Sequence, residues 1–210
     1  ANNCKHYENR DIRILDLACG KGRDLTKWKD ISAKIVVGFD KVNDNLINKK
    51  DGACVRYNEM VHNNTNKNIP KVYFLQADSS HNIDRYYLED VSDITNKKLY
   101  SNLWNSNEYY KTKLSQSKFN IVSLQFALHY FCENETSLNG LIKNVSDNIS
   151  TGGLFIGTCF NGLKVCESLM GKDFKEGKEA NGDLIWKITK KYTDNSNCES
   201  IKYNKKIDVY

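Results

Sequence analysis

The residues best suited to bind a ligand in this sequence are three aspartates and one glycine turn. Each aspartate lies in or directly after an apolar run: Asp16, Asp40 and Asp78. The turn contains Gly20 and Gly22 and follows the first of these runs. Because ligands in open α/β sheets bind at the carboxyl ends of the strands, we expect these residues to face one nucleoside-sized site.

The chemistry of each residue type suits a nucleoside. A glycine turn lets the backbone approach a ligand closely. Asp40 follows the turn by about 20 residues, the spacing typical of an acid that accepts hydrogen bonds from the ribose hydroxyls. Asp78 or its neighbour can accept from an adenine amino group. Asp16 suits the positively charged end of a ligand such as S-adenosylmethionine, either directly or through water.

Two common nucleotide-binding patterns are absent from the turn. Residues 20–25, GKGRDL, lack the third glycine of the dinucleotide motif G-x-G-x-x-G, which disfavours NAD. They also lack the Gly-Lys-Ser/Thr ending of a P-loop, which disfavours ATP hydrolysis. The remaining alternative is an ordinary tight turn with the aspartates as strand-end caps. The ordered recurrence of acids at three successive strand ends argues against it.

Apolar runs alternate with amphipathic segments, which predicts βαβ units and a mostly parallel sheet flanked by helices. The predicted strands are residues 12–17, 35–39, 72–77, 119–124 and 154–160. The predicted helices start near Asp24 and cover residues 45–60, 138–149 and 163–170, with a turn at 151–153. Residues 79–118 form a polar insertion with some helix, and alternation in 184–192 and 200–210 predicts an antiparallel C-terminal portion.

Composition narrows the class of protein. The 210 residues favour one domain, residues 1–210. A net charge of +5 permits a polyanionic partner without requiring one. The seven cysteines include no C-x-x-C pair, so we expect reduced thiols, no disulfide framework and no metal site. Neither a signal peptide nor an apolar run long enough to span a bilayer is visible, so we expect no membrane partner.

Residues 14–28, ILDLACGKGRDLTKW, resemble motif I of the mRNA cap guanine-N7 methyltransferases. Four further pieces are similar to the family in the same order: GFD at 38–40, QADSS at 76–80, SLQFALHY at 123–130 and GGLFIGT at 152–158. The resemblance covers roughly residues 12–161. Its most specific element is the Gln-Phe-x-x-His-Tyr pattern, because most class I methyltransferases share the glycine turn.

This resemblance implies a Rossmann-like class I methyltransferase that transfers a methyl group from S-adenosylmethionine to N7 of the guanine of the mRNA 5′ cap. Besides Asp16, it implies cofactor contacts from Ala18, Gly20, Asp40, Asp78, Ser79, Gln125 and Tyr130. It implies that the cap guanosine or its phosphates meet Lys21, Arg56, His129 and Tyr130. His129 and Tyr130 are expected to position the guanine. No general acid or base is expected, because N7 has an in-plane lone pair and no proton to lose.

The same resemblance implies a capped RNA end, GpppN, as the partner, alongside other capping enzymes. We expect a monomer in the nucleus, or in the cytoplasm for a cytoplasmic virus. The sequence departs from the family at Ala18, where glycine is usual, and in the long 79–118 insertion. The family's upstream lysine-bearing helix and its later strand with a guanine-recognising Glu have no counterpart here, so we expect the domain to be incomplete at both ends.

Two alternatives stay open. One is a class I methyltransferase for another substrate, a small molecule or another RNA. An enzyme for DNA adenine is disfavoured, since residues 124–127 read LQFA and contain none of the prolines of its Asp/Asn-Pro-Pro-Tyr/Phe motif. The other alternative is a non-catalytic RNA-binding module with this fold. Binding of S-adenosylmethionine separates an enzyme from the module, and competition by a cap analogue separates the substrates.

Overall fold

The computed structural model describes residues 11–63, 68–83, 94–103, 118–192 and 207–209. Its main sheet contains β1 (Arg13–Leu17), β2 (Ile35–Asp40), β3 (Lys71–Gln76), β4 (Phe119–Gln125) and β5 (Ile149–Thr158). These strands are all parallel and lie in the order β3-β2-β1-β4-β5. The mostly parallel α/β fold predicted from the sequence is confirmed.

The helices of the described residues are α1 (Leu25–Asp30), α2 (Asn43–Ile47), α3 (Ala53–His62), α4 (Ile94–Leu103), α5 (Leu128–Phe131), α6 (Glu135–Asn148) and α7 (Gly162–Ser168). They pack on both faces of the sheet. On one face Ile14 and Val36 pack with Trp28 of α1. On the other face Leu15 clusters with residues of α4 and α6, including Leu141. Burial on both faces explains why the strands read as continuous apolar runs.

The segment predicted as one helix over residues 45–60 is two helices, so that prediction was wrong in its continuity. Asn48 ends α2 with extended backbone, at ψ 126°. Gly52 then precedes α3, with ψ 164°. The glycine, which weakens helix propensity, marks the start of a second helix here. The break brings the beginning of α3 against the turn after β1.

The turn predicted at residues 151–153 is also wrong, because these residues lie inside β5. Gly152 has φ +74°. The register between β4 and β5 shifts between Phe119 and Ile121, opposite this region. Paired glycines therefore mark a strand irregularity of the β-bulge kind rather than the end of the preceding helix.

The C-terminal portion forms a second, antiparallel sheet, as predicted. Its strands are β6 (Phe174–Lys178), β7 (Leu184–Lys190) and β8 (Ile207–Val209), in the order β6-β7-β8. Strand β6 was not predicted from the sequence. Its residues, FKEGK, are mostly charged and carry a glycine, so they lack the apolar alternation that identifies a strand.

Helix α4 confirms that the 79–118 insertion contains helix, while its aromatic residues Trp104, Tyr109 and Tyr110 lie outside the described residues. Among the cysteines of the described ranges, four are free thiols: Cys19, Cys54, Cys132 and Cys159. Cys166 is disulfide-bonded, so the prediction of reduced thiols is wrong at that residue. No helix in the described ranges combines the length and hydropathy needed to cross a bilayer.

The sheet order reverses between β1 and β4, which is the feature that positions the site. Strands β2 and β3 extend from one side of β1, whereas β4 and β5 extend from the other. The loops after β1 and β4 therefore leave the sheet in opposite directions and open a crevice, where α/β proteins bind ligands. The glycine loop (residues 18–22) and the aromatic segment (residues 125–130) both lie at this crevice.

Candidate functional site

The glycine loop turns sharply because three of its residues adopt left-handed backbone conformations. Ala18, Gly20 and Gly22 have φ of +55°, +54° and +68°. This conformation costs a residue with a Cβ roughly 1–2 kcal/mol, so Ala18 stores strain at the position where the resembled family usually has glycine. A Cβ on Gly20 would meet no atom within 4 Å, so the backbone there faces open space.

Asp40 lies at the end of β2 and holds the glycine loop in place. Its Oδ2 accepts the Gly20 backbone N–H at 2.7 Å, and its Oδ1 accepts the Val42 N–H at 2.9 Å. The Asn45 amide donates to the same Oδ1 at 3.1 Å. Asp40 is only 7% exposed, so these donors stabilise a charge that is nearly removed from water. The sequence spacing that linked Asp40 to the turn thus corresponds to a direct contact.

Asp16 is a buried carboxyl whose hydrogen bonding is incomplete. Its Oδ2 accepts the Trp28 Nε1–H at 3.2 Å, while Oδ1 has no hydrogen-bond partner among the described residues. Burial is the main cause that raises the pKa of Asp16 to about 7, and the Trp28 hydrogen bond opposes it. A cation brought next to Oδ1 would restore the ionised form, which is the chemistry expected from the sequence.

Asp78 and Ser79 begin the loop after β3. Lys41 forms an ion pair with Asp78 at 2.7 Å, and the Ser80 hydroxyl donates to the Asp78 carboxylate at 2.6 Å. Burial raises the pKa of Asp78, but the Lys41 and Ser80 contacts outweigh it and leave the pKa below its ordinary value. The buried Ser79 Oγ has no hydrogen-bond partner in the described part of the chain. The loop therefore presents one stabilised carboxylate and one unsatisfied hydroxyl.

A residue that the sequence analysis missed fastens this loop to the rest of the domain. Asn144 of α6 is 1% exposed, and its Nδ2 donates to the carbonyls of Ser79 and His81 at 2.8 and 2.6 Å. Its Oδ1 accepts the Ile83 N–H at 3.1 Å. The available signal was a polar residue at helical spacing between the apolar positions Leu141 and Val145. Such a residue on a buried face needs hydrogen-bond partners.

Replacing Asn144 with Leu should loosen the 78–83 loop and weaken cofactor binding by roughly tenfold. The change leaves the Ser79 carbonyl and the Ile83 N–H buried without these partners, which costs on the order of 1–3 kcal/mol for each, and it also removes the part-buried bond to the His81 carbonyl. Calorimetric titration with S-adenosylmethionine measures the affinity. Asn148→Leu is the matched control, because Asn148 is about as buried and, among the described residues, its amide donates to the Asn144 carbonyl and not to the 78–83 loop. Equal losses of affinity in both variants would contradict a positioning role.

The aromatic segment after β4 forms the opposite side of the crevice. Gln125 bridges two strands: its Nε2 donates to Ser123 Oγ at 3.1 Å, and its Oε1 accepts from Thr158 Oγ1 at 3.0 Å. The His129 and Tyr130 rings lie 4.1 Å apart between centroids. Tyr130 is 72% exposed, so its ring does not pack in the core.

Two phenylalanines extend this aromatic surface, and the sequence analysis assigned neither. Phe126 is 59% exposed and has φ +52°, a strained conformation for a bulky residue. Phe160, which follows β5, lies 6.2 Å from the Phe126 ring and 5.9 Å from the His129 ring between centroids. We name Phe126, His129, Tyr130 and Phe160 the aromatic cluster. Its exposed rings suit stacking on a nucleic-acid base.

Lys21 and Arg56 are expected from the resemblance to face the cap, and both side chains contact Asp51. Lys21 Nζ pairs with the Asp51 carboxylate at 2.6 Å, and Arg56 Nε donates to the Asp51 carbonyl at 3.2 Å. The Lys21 hydrogen bond is the main cause that lowers the pKa of Asp51. The break before α3 brings this helix, and with it Arg56, next to the glycine loop.

Comparison with known proteins decides the family. The sequence model of the mRNA (guanine-N(7))-methyltransferase domain matches residues 1–208. The chain belongs to this family. It is 34% identical over 177 residues to the mRNA cap guanine-N(7) methyltransferase of Caenorhabditis elegans, covering 84% of this chain and 38% of that protein. It is 28% identical over 202 residues to the probable mRNA-capping enzyme of Acanthamoeba polyphaga mimivirus, covering 94% of this chain and 16% of that protein. The chain thus spans well under half the length of both relatives.

Solved structures show the same fold for this methyltransferase domain. The CcbJ methyltransferase of Streptomyces caelestis superposes with a TM-score of 0.54 at 14% identity, over 90% of this chain and 59% of that one. An S-adenosylmethionine-dependent methyltransferase of Clostridium acetobutylicum superposes with a TM-score of 0.52 at 15% identity, over 99% and 68% of the two chains. Both likenesses identify the class I methyltransferase fold.

S-adenosylmethionine is the cofactor of this methyltransferase family, and the residues of the crevice fit it. Asp16 Oδ1 and Ser79 Oγ are buried polar atoms without partners among the described residues. Open space in front of Gly20 leaves room for a ligand to approach the backbone closely. The described residues contain no group of three metal-ligating side chains. The unpartnered atoms of Asp16 and Ser79 and the open backbone at Gly20 are compatible with an amino-acid-bearing nucleoside.

Proposed function

We propose that this domain transfers a methyl group from S-adenosylmethionine to N7 of the guanine of the mRNA 5′ cap. The observation that carries the proposal is the pairing of two different surfaces across one crevice. Unsatisfied polar groups and carboxylates lie at the carboxyl ends of β1, β2 and β3 on one side. The exposed aromatic cluster follows β4 and β5 on the other side. The first surface suits a nucleoside cofactor, and the second suits a purine base.

On the cofactor side, we assign the ribose to Asp40. Gly20, Val42 and Asn45 use three of the four lone pairs of its carboxylate, and Oδ2 keeps one for a ribose hydroxyl. Asp78 and Ser79 take the adenine, through an acceptor for its amino group and a free hydroxyl. Asp16, with the backbone of Ala18 and Gly20, takes the charged amino-acid end. Gln125 and Tyr130 complete the wall nearest the guanine. Each assignment follows the sequence prediction and the placement of the side chain at the crevice.

On the substrate side, the aromatic cluster stacks on the guanine, and Lys21 and Arg56 meet the phosphates of the cap. Base–aromatic stacking contributes about 1–3 kcal/mol per base. Lys21 must exchange its ion pair with Asp51 for the phosphate, an exchange that keeps the ammonium paired. Within the described part of the chain Arg56 donates to Asp51 through Nε, which leaves the terminal nitrogens of its guanidinium for the ligand.

The reaction needs orientation more than proton transfer. The cofactor supplies an electrophilic methyl group on a sulfonium, and N7 supplies a lone pair without losing a proton. Burial lowers the pKa of His129, so the imidazole is neutral near pH 7 and does not repel the sulfonium. The main contribution of the chain is then to hold N7 in line with the reacting carbon. His129 and Tyr130 act as positioning residues through their ring contact.

Alanine at His129 or Tyr130 should lower kcat/KM for capped RNA by about 10- to 100-fold, because a stacking surface worth 1–3 kcal/mol is lost. The Kd for S-adenosylmethionine should change much less. Asp40→Ala should have the opposite pattern, because its main effect should be a weaker affinity for S-adenosylmethionine. Methylation of GpppA-capped RNA and calorimetric titration of the cofactor measure the two quantities. Unchanged methylation in both aromatic variants would show that the assigned guanine site is wrong.

The biological setting proposed here follows from that reaction. The partner is the capped end of an RNA, which binds to one copy of the chain, with residues 1–210 acting as one methyltransferase domain. Other capping enzymes act on the same RNA end. The mimivirus relative, named as a probable capping enzyme, supports this link. The domain then works in the nucleus, or in the cytoplasm if its source is a cytoplasmic virus.

A further inference from the structure

A cavity of about 310 Å³ lies outside the cofactor and guanine sites, between α1 and α3. It begins at Gly22 of the glycine loop and runs along both helices. It is lined by Arg56, Glu59 and Met60 of α3 and by Asn63, the C-cap of that helix, which recur at the spacing of one helix face. Its volume lies at the lower end of the range for small-ligand sites.

The charges that line this cavity are unbalanced. Arg23, Lys29 and Arg56 supply three cations, and Glu59 supplies one carboxylate. Most other lysines around the crevice are paired: Lys21 with Asp51, Lys27 with Asp24 and Lys41 with Asp78. None of the four lining charges has an ion pair within the described ranges. Unpaired cations that converge on one concave surface attract anions, and arginine in particular suits phosphate.

The cavity is continuous with the residues assigned to the cap phosphates. Arg56 lines it and also bonds to the Asp51 carbonyl, and Asp51 pairs with Lys21. Arg23 lies close enough to lower the pKa of Asp51. A chain of phosphates that passes Lys21 and Arg56 therefore meets Arg23 next, and then Lys29 further along α1. The apolar side chains of Leu25 and Met60 add a surface for a sugar or base.

We infer that this cavity binds the phosphodiester backbone of the RNA immediately downstream of the cap, through Arg23 and Lys29. The inference rests on the proposed function, because the cap itself sets where the RNA begins. It predicts that the domain prefers a capped transcript to a free cap dinucleotide. Sequence readout is not involved, since the lining groups are suited to phosphate and sugar.

The double variant Arg23→Gln/Lys29→Gln tests this inference in the whole chain. It should raise KM for a short GpppA-capped RNA by about tenfold, while KM for the GpppA dinucleotide and the Kd for S-adenosylmethionine stay unchanged. The slope of log affinity against log salt for uncapped RNA of the same sequence should fall by about 1 to 2, as expected when two phosphate contacts are lost. Arg56 is left intact because it belongs to the assigned cap site.

The matched control is Lys34→Gln/Lys71→Gln. It removes the same charge at the amino-terminal ends of β2 and β3, opposite the crevice, where both side chains are exposed. The inference is overturned if the double variant raises KM equally for the capped RNA and the dinucleotide, or if it leaves KM for the RNA unchanged. It is also overturned if the control variant raises KM for the RNA by the same factor. Binding of uncapped RNA needs no methyl transfer, so its dependence on Arg23 and Lys29 can be read even if the proposed reaction fails. If an acidic peptide competes for the cavity and RNA does not, the RNA assignment is likewise overturned.

Discussion

Asp16→Asn should stabilise the cofactor-free domain above neutral pH and, in the same protein, weaken the binding of S-adenosylmethionine. Burial raises the pKa of Asp16 to about 7 from a model-compound value of 3.8. Because the pKa of Asp16 is higher in the folded state than in the unfolded state, the contribution of this carboxyl to stability is fully present below about pH 4. It is then lost as the pH rises towards 7. At pH 8 the ionised carboxylate costs up to about 4 kcal/mol, at about 1.4 kcal/mol per pKa unit.

An asparagine avoids this cost because it is neutral at every pH and still offers an oxygen to Trp28. The same change removes the negative charge that the amino-acid end of the cofactor meets. Urea unfolding at pH 5 and pH 8 measures the first effect, and the difference between variant and wild type should grow with pH. Calorimetric titration of the cofactor measures the second effect.

Asp24→Asn provides the control for Asp16→Asn. It removes one carboxylate from the same region, but Asp24 lies nearer the surface in an ion pair with the exposed Lys27. Such a change should shift stability by no more than about 0.5 kcal/mol. If Asp16→Asn destabilises the fold at pH 8, or binds the cofactor as tightly as the wild type, the roles given to this carboxyl are wrong.

Gly140→Ala should destabilise the domain severely, although alanine normally stabilises a helix interior by about 1 kcal/mol over glycine. Gly140 lies inside α6. A Cβ at this position would overlap the carbonyl oxygen of Ser80 and lie 2.6 Å from its carbonyl carbon. The neighbour is backbone and cannot rotate away, so the 78–83 loop or the helix must move. We expect a loss of several kcal/mol, in the range of overpacked buried sites, together with loss of cofactor affinity.

Asn139→Ala, one residue earlier on the exposed side of the same helix, is the control. It should be neutral or slightly stabilising, as helix propensity predicts. The two variants should therefore change stability in opposite directions, although the residues are neighbours in the same helix. A stabilised Gly140→Ala variant would contradict the close packing of α6 against the Ser80 backbone.

The sequence allowed the strands and the aspartates to be predicted because both signals are local. A buried parallel strand needs a continuous apolar run, and the polar residue that ends the run lies by geometry at the ligand edge of the sheet. Asp40 is the clearest case, since its spacing from the glycine turn predicted proximity and its carboxylate contacts the Gly20 N–H directly. The resemblance contributed Gln125, His129 and Tyr130, which lie at the same crevice.

The parts that escaped prediction depend on contacts between distant segments. Asn144 and Gly140 contact the 78–83 loop across about 60 residues of chain, and no local pattern pairs them. Phe160 joins the aromatic cluster because β5 lies beside β4, which only the sheet order reveals. The 151–153 turn and the single 45–60 helix failed for a related reason. A glycine marks a departure from regular backbone without saying whether that departure is a turn, a bulge or a new helix.

A crystal structure of the domain with S-adenosylhomocysteine and a cap analogue bound is the decisive measurement. We expect a ribose hydroxyl within hydrogen-bonding distance of Asp40 Oδ2 and the adenine at Asp78 and Ser79. The guanine should lie against His129 and Tyr130, with N7 directed at the sulfur. A nucleoside bound away from the ends of β1 and β2, or a guanine held by another surface, would contradict this assignment of the crevice.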